Sequence, residues 1–212
     1  MKKTALAVAF ASASISASAS GAVIEWTTGS GGNGHFYQFV AAPVASWDVA
    51  RAAALASTHN GQSGYLATIT SAAENSFISG TVSGSIGWLG GRDAATEGVW
   101  QWADGPEAGV TFWTGGPGGS TTTYANWVGG EPNNNLGTED WLHFNFGVAG
   151  GWNDAQFADT NNGYFIEYNA VPVITPGGVP EPAAWAMMIA GFGLTGGVMR
   201  WRVRSGGAPA PV

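Results

Sequence analysis

The sequence contains no cysteine, so its 212 residues can form no disulfide and supply no thiol nucleophile. A folded domain here must stand on packing alone or on bound ions. Basic side chains are nearly as scarce. Of the seven Lys and Arg residues only Arg51 and Arg92 fall between Glu25 and Glu167, a stretch that holds thirteen of the fourteen acids and carries a formal charge of −11. Such a field opposes nucleic acid and favours cations. The three histidines, His35, His59 and His143, lack zinc-type spacing, and no Gly-x-Ser-x-Gly turn occurs. His143, two residues past Trp141, is expected on a strand surface. With no recognisable nucleophile or catalytic zinc, a non-enzyme is expected. What the chain does have is 34 glycines and 11 tryptophans, nine of the latter in the acidic stretch. That combination predicts a loop-rich fold pinned by large aromatics, and disorder depletes aromatics.

The two ends read differently from the middle. Lys2 and Lys3 precede a short apolar run, Thr4 to Ile15, and the small-residue triplets Ala17-Ser18-Ala19 and Ser20-Gly21-Ala22 follow. This order predicts an export signal over 1–22. Residues 171–182 form a Pro/Gly linker ending in Pro180-Glu181-Pro182. An uncharged apolar run over 183–199 is near the lower length limit for a spanning helix. Arg200, Arg202 and Arg204 come next, and the positive-inside rule places the 200–212 tail in the cytoplasm with the domain outside.

Between these ends, 23–170 is one domain's worth of chain. His35 to Val40 reads as a strand. Ser46 reads as the N-cap of a helix with Trp47, Ala50, Ala54 and Leu55 at helical spacing, stopped by Asn60-Gly61. Tyr65 to Thr70 predicts a strand, and Ser71-Ala72-Ala73-Glu74 is a capping-box pattern that opens a second helix. Thereafter short apolar runs alternate with turns: Gly87 to Gly90, Val99 to Trp102, Trp141 to Phe146 and Tyr164 to Tyr168. Gly115 to Thr123 is loop. Helices early and strands late predict an α+β class. No internal repeat is present.

Two resemblances follow from ordered motifs. Pro180-Glu181-Pro182, then Trp185-Ala186 in the apolar run, then the Arg cluster, resemble the PEP-CTERM sorting tail. That implies a temporary membrane anchor processed by an exosortase, in a host that makes extracellular polysaccharide. The domain resembles the C-type lectin-like family over nearly all of 34–169. The resemblance rests on Leu66-Ala67-Thr68-Ile69, Trp88-Leu89-Gly90-Gly91, Val99-Trp100-Gln101-Trp102, Asn126-Trp127, Glu131-Pro132-Asn133, Glu139-Asp140 and Trp152-Asn153-Asp154, in that order. It implies two helices packed on antiparallel sheets with a long-loop region. Family members commonly carry two disulfides. By the motif order their positions fall on Ala54 with Ile166 and on Trp141 with Phe157, and each pair is expected to pack in direct contact.

The resemblance also implies a site. Glu131, Asn133, Glu139, Asn153 and Asp154 would form a primary calcium and sugar site, Asp154 adding its backbone carbonyl, with a cis peptide before Pro132. Hard oxygens on loops suit calcium, and vicinal sugar hydroxyls would share the ion and bond to the same side chains. The Glu-Pro-Asn order resembles members that prefer mannose-, glucose- or fucose-type hydroxyls. Asp93, Glu97, Asn134 and Asp140 would form an auxiliary calcium site, weakened where Asn134 replaces a usual Asp. Trp152 reads as scaffold. A calcium-dependent carbohydrate binder is therefore expected, exported and sorted to the envelope or matrix. A non-sugar adhesion module on the same fold stays open, and a glycosidase built on Glu131 and Glu139 is the less favoured third class.

Overall fold

The computed structural model describes residues 19–43, 46–157 and 161–171. The leader up to residue 18, the Pro-rich linker from 172, the apolar run over 183–199 and the basic tail over 200–212 lie outside the described residues. The compact unit to which the described residues belong ends at Val171.

The elements run β1 (Ala19–Ser20), β2 (Ile24–Glu25), β3 (Phe36–Ala41), α1 (Trp47–Ala56), β4 (Thr58–His59), β5 (Gln62–Leu66) and α2 (Ala72–Phe77), followed by a π-helical turn over Ile78–Val82. Then come β6 (Gly87–Arg92), β7 (Val99–Trp102), β8 (Thr111–Thr114), β9 (Glu139–Phe144), β10 (Trp152–Gln156) and β11 (Gly163–Tyr168). The class is α+β, with helices before the main run of strands.

Strands β3 and β11 pair antiparallel from Gly163↔Ala41 to Tyr168↔Phe36, which joins the two ends of the domain. β11 also pairs with β5, and with β6 through a parallel bridge, Tyr164↔Trp88. That bridge corrects the expectation of purely antiparallel sheets. β6 in turn carries β7–β8 on one side and the β9–β10 hairpin on the other. β1 lies on β3 through Ala19↔Ala41 and Ser20↔Val40.

Local chemistry explains the helices. Trp47, Ala50 and Ala54 form the buried stripe of α1, and the Trp47 indole N–H donates to the Leu89 carbonyl at 2.8 Å. Arg51 makes a two-pronged ion pair with Asp104, at 2.6 and 2.7 Å. Leu55 is 43% exposed, contrary to expectation, because it falls off that stripe. Ser46 stands at the N-cap position but makes no side-chain cap bond. The helix stops at Ala56, before the expected Asn60-Gly61. That dipeptide turns the β4–β5 hairpin instead, with φ of 49° and 78°. Asn-Gly tolerates two successive left-handed residues, and a two-residue hairpin turn demands them. At α2, the Ser71 hydroxyl accepts the Glu74 N–H at 3.2 Å as the capping box predicts. The Glu74 carboxylate reaches one residue further back than the motif requires, to the Thr70 N–H at 2.7 Å.

The core has two parts. Trp100, Trp102, Phe112, Trp152, Phe144 and Phe165 belong to one, Trp47, Ala54, Trp88, Ile166 and Tyr168 to the other. Each fully buried large side chain stabilises the fold by roughly 1.5–3 kcal/mol, which is how a domain without crosslinks holds. Ala54 and Ile166 share a cluster, and the rings of Trp141 and Phe157 meet edge-on at 5.4 Å. Packing thus occupies both pairs of positions at which the resemblance implied bridges.

Candidate functional site

Trp152 fixes one wall of the site. It is fully buried, edge-on to Trp102 and Trp127 at 6.0 and 5.9 Å, and its indole N–H donates to Asn75 Oδ1 at 2.8 Å. The Asn75 amide, carried on α2, then donates to the Gly150 carbonyl at 3.0 Å, and the Asn126 amide donates to the same oxygen at 2.7 Å. Gly150 has φ of +74°, and a Cβ there would lie 2.3 Å from the Asn75 amide, so glycine is required on both counts. Asn153 and Asp154 follow on β10, opposite His143 and Leu142 of β9. Sequence motifs had placed them in a loop. They are strand residues with known register.

The facing wall is the long loop. The Glu131–Pro132 peptide is cis, as the family resemblance implied. The Asp154 carboxylate, fully buried, clamps the loop by accepting the Asn133 N–H at 3.1 Å and the Asn134 N–H at 2.6 Å. Further on, Glu139 Oε2 accepts the Asn135 N–H at 2.8 Å, and Asn134 Oδ1 accepts the Glu139 N–H at 3.2 Å. The three bonds accepted by the Asp154 and Glu139 carboxylates are the stronger, charge-assisted kind.

Four of the five expected primary ligands, Glu131, Asn133, Glu139 and Asn153, line one cleft of about 360 Å³. Asp154 lies behind it, its carboxylate spent on the loop amides and its backbone carbonyl against the Asn153 side chain. Asn135, His143 and Phe146 complete the lining. Sequence reasoning missed these three. Strand alternation carried no signal for His143, because a bulge at Asp140 interrupts the register between it and Glu139. His143 is 5% exposed, its ring tilted against Trp88 at 4.5 Å, and so is not the strand-surface histidine expected. β6 runs beside β9 there and covers the ring.

The electrostatics of the cleft suit a cation. Glu131 Oε2 is buried with no hydrogen-bond donor. Burial first, then the adjoining Asp154, then the charge of Glu139, push the Glu131 carboxyl up to about 7. Among the described residues no cluster of three or more His, Cys, Asp or Glu is disposed to hold a metal by itself. The amide oxygens of Asn133 and Asn153 and the Asp154 carbonyl would therefore have to complete a shell. An all-oxygen, mixed set of this kind suits a hard cation such as calcium better than a soft, nitrogen- or sulfur-seeking metal.

Of the four expected auxiliary residues, Asp93, Glu97 and Asp140 lie close enough to act on one another electrostatically. Asp93 is buried, accepts the Gly98 N–H through Oδ2 at 2.8 Å, and leaves Oδ1 without a donor. Burial chiefly, with Glu97, Asp140 and Asp154 adding repulsion against the relief given by Gly98, pushes it up to about 7. Glu97 is raised by burial and by Asp140 and Asp154. Asn134 turns its amide oxygen to Glu139 N–H.

A two-helix α+β fold with a long loop, a cis-proline turn and acid and amide side chains converging from a neighbouring hairpin defines a C-type lectin-like domain. The Lectin C-type domain family model matches residues 50–164, and the chain belongs to that family. It is 41% identical over 139 residues to halomucin of Haloquadratum walsbyi, covering 66% of this chain and 2% of that one. It is 32% identical over 94 residues to ladderlectin of Oncorhynchus mykiss, covering 42% of each. The chain thus spans only part of either relative. Among solved structures it is similar to the lectin CEL-I of Cucumaria echinata, at TM-score 0.52 and 24% identity over 66% of this chain and 93% of that one. The EPNH mutant of CEL-I is similar at TM-score 0.52 and 26% identity, covering 66% and 92%. A calcium-independent type II antifreeze protein is similar at TM-score 0.50 and 24% identity, covering 66% and 89%, so the fold alone does not decide the ligand. These likenesses indicate no enzyme family.

Proposed function

We propose that this protein is a calcium-dependent carbohydrate-binding protein, exported and sorted to the cell envelope or extracellular matrix. One observation carries the reading: Glu131, Asn133, Glu139 and Asn153 converge on a single cleft in which Glu131 Oε2 is buried without a donor. Two carboxylates and two amides so arranged suit a hard cation and sugar hydroxyls together. A bound calcium would offer coordination positions to vicinal hydroxyls. Glu131 and Glu139 accept the hydroxyl protons, and Asn133 and Asn153 donate to the remaining lone pairs. Asp154 keeps the loop in place for both tasks. The ligand is a neutral sugar of mannose, glucose or fucose type, since a cleft with two carboxylates repels uronates. Asp93, Glu97, Asn134 and Asp140 hold a second, weaker calcium that braces the loop from behind.

The same proposal covers the ends of the chain. The N-terminal segment directs export, and the Pro-Glu-Pro tail anchors the protein until an exosortase processes it. Exopolysaccharide outside the cell supplies the sugar.

The test is retention on immobilised mannan or fucose resin with elution by EDTA and by free monosaccharide. Asn153→Ala should abolish retention while leaving the circular dichroism of the fold intact. Retention that persists in EDTA, or Asn153→Ala that binds as the wild type does, contradicts the reading.

A further inference from the structure

Resting on that reading, we infer that Phe146 is a specificity-determining residue, the apolar wall against which the C–H face of a neutral hexopyranose lies while its hydroxyl edge meets Glu131 and Glu139. Phe146 lines the same cleft as those two acids, and its side chain is 38% exposed. Trp88, Trp100 and Trp152, by contrast, are core residues at most 1% exposed.

The ring is held, not loosely displayed. It stacks on His143 at 6.5 Å with planes 22° apart, and His143 meets buried Trp88 at 4.5 Å with planes tilted by 33°. The β9–β10 connection beneath it is braced by Asn145, which adopts φ of +61°. The Asn145 amide donates to the carbonyls of Ser83 and Ser85 at 3.0 and 2.9 Å, and its oxygen accepts the Gly150 N–H at 2.7 Å. The Phe146 N–H donates to the Gly151 carbonyl at 3.1 Å. Four bonds and two ring contacts fix the rim before any ligand arrives, so little ordering entropy opposes a contact there.

A pyranose is two-faced: hydroxyls point outward around its edge, while axial C–H groups make one face apolar. The cleft is two-faced in the same way. At about 360 Å³ it falls near the lower end of the roughly 300–1,000 Å³ typical of small-ligand pockets, enough for one sugar and not for a chain. A lone exposed apolar residue needs no explanation by itself. One rigidly stacked at the edge of a carboxylate cleft does.

The experiment uses the full-length chain in saturating calcium, titrated with methyl α-mannoside and methyl α-fucoside. Calcium affinity is measured separately by isothermal titration. Phe146→Ala should weaken glycoside binding by on the order of tenfold, the larger end of what a ring contact contributes, with calcium affinity unchanged. Phe146→Tyr and Phe146→Trp should retain binding. Equal binding by wild type and Phe146→Ala overturns the inference while leaving the sugar site standing. So does a Phe146→Ala variant that loses calcium and glycoside together, since the ring would then only support the fold. A wild type that binds calcium but neither glycoside overturns the carbohydrate reading, and this inference with it.

Discussion

Replacing Asp93 by Asn should make the calcium-free protein more stable. The Asp93 carboxyl is 2% exposed, and its pKa rises from an ordinary value near 3.8 to about 7. A rise of that size means that ionisation costs the folded state on the order of 4 kcal/mol, and partial relaxation of the site brings the expected cost to about 2–4 kcal/mol. An acid whose folded pKa is raised gives its full stability below the unfolded value and loses it as pH climbs through the folded one. Wild type should therefore lose stability between about pH 4 and pH 8 in EDTA. Asn keeps the bond from Gly98 through its amide oxygen and carries no charge. In EDTA at pH 8 the variant should melt higher, by ~2–4 °C for each kcal/mol gained in a domain of this size. At pH 4 the two should coincide. With calcium in excess the order should narrow or reverse, because the same carboxylate then faces an ion. Differential scanning calorimetry across pH, with and without calcium, reads all three. A variant that melts no higher than wild type at pH 8 in EDTA refutes the claim that Asp93 is a destabilising buried charge held for an ion.

Other outcomes follow from separate parts of the molecule. His35 Nδ1 lies 2.6 Å from Glu167, and that hydrogen bond, outweighing burial, raises the His35 pKa, with Glu74 and Glu107 adding to it. The protonated form thus contributes stability below pH 6.5 that disappears as pH rises past the folded value; His35→Gln should remove this slope, about 1 kcal/mol, in thermal melts whether or not calcium is present. Phe157→Ala should cost roughly 1–2 kcal/mol in urea unfolding, since the ring is half exposed and loses chiefly its contact with Trp141. On the proposed export reading, signal cleavage should leave at least Ser20 and Gly21 on the mature chain, because Ser20 pairs with Val40 and the Gly21 N–H donates to the Phe39 carbonyl at 2.8 Å. N-terminal sequencing of exported protein that begins at Val23 would contradict this.

The sequence made much of this molecule readable, and the failures have physical causes. Trp47, Ala50 and Ala54 announced α1 by spacing, and Ser71 with Glu74 announced α2 by hydrogen-bond chemistry. Asn60-Gly61 misled because a turn dipeptide serves helix ends and hairpins alike, and only the pairing of Thr58 and His59 with Gln62 and Ser63 decides between them. Trp152-Asn153-Asp154 read as a ligand loop because its polar residues hid the strand that Trp152 anchors. The short strands β1, β2 and β4 carry two residues each, too few for any periodicity. The candidate ligands were legible through ordered motifs. The task of the Asp154 carboxylate was not, for it depends on backbone amides of Asn133 and Asn134 twenty residues away. Phe146 reads as the last residue of an apolar run, whereas β9 stops at Phe144, and only the fold sets its ring beside Glu131 and Glu139.

The central claim is that the cleft holds calcium. Calorimetric unfolding of the protein in EDTA, in magnesium and in calcium tests it most directly. A ligand held only by the native state at about 100-fold above its dissociation constant stabilises by roughly 2.7 kcal/mol. The account predicts an upward shift of several degrees in calcium, little in magnesium, and its loss in Asn153→Ala. Identical melting in calcium and EDTA would contradict it and remove the ion from the mechanism.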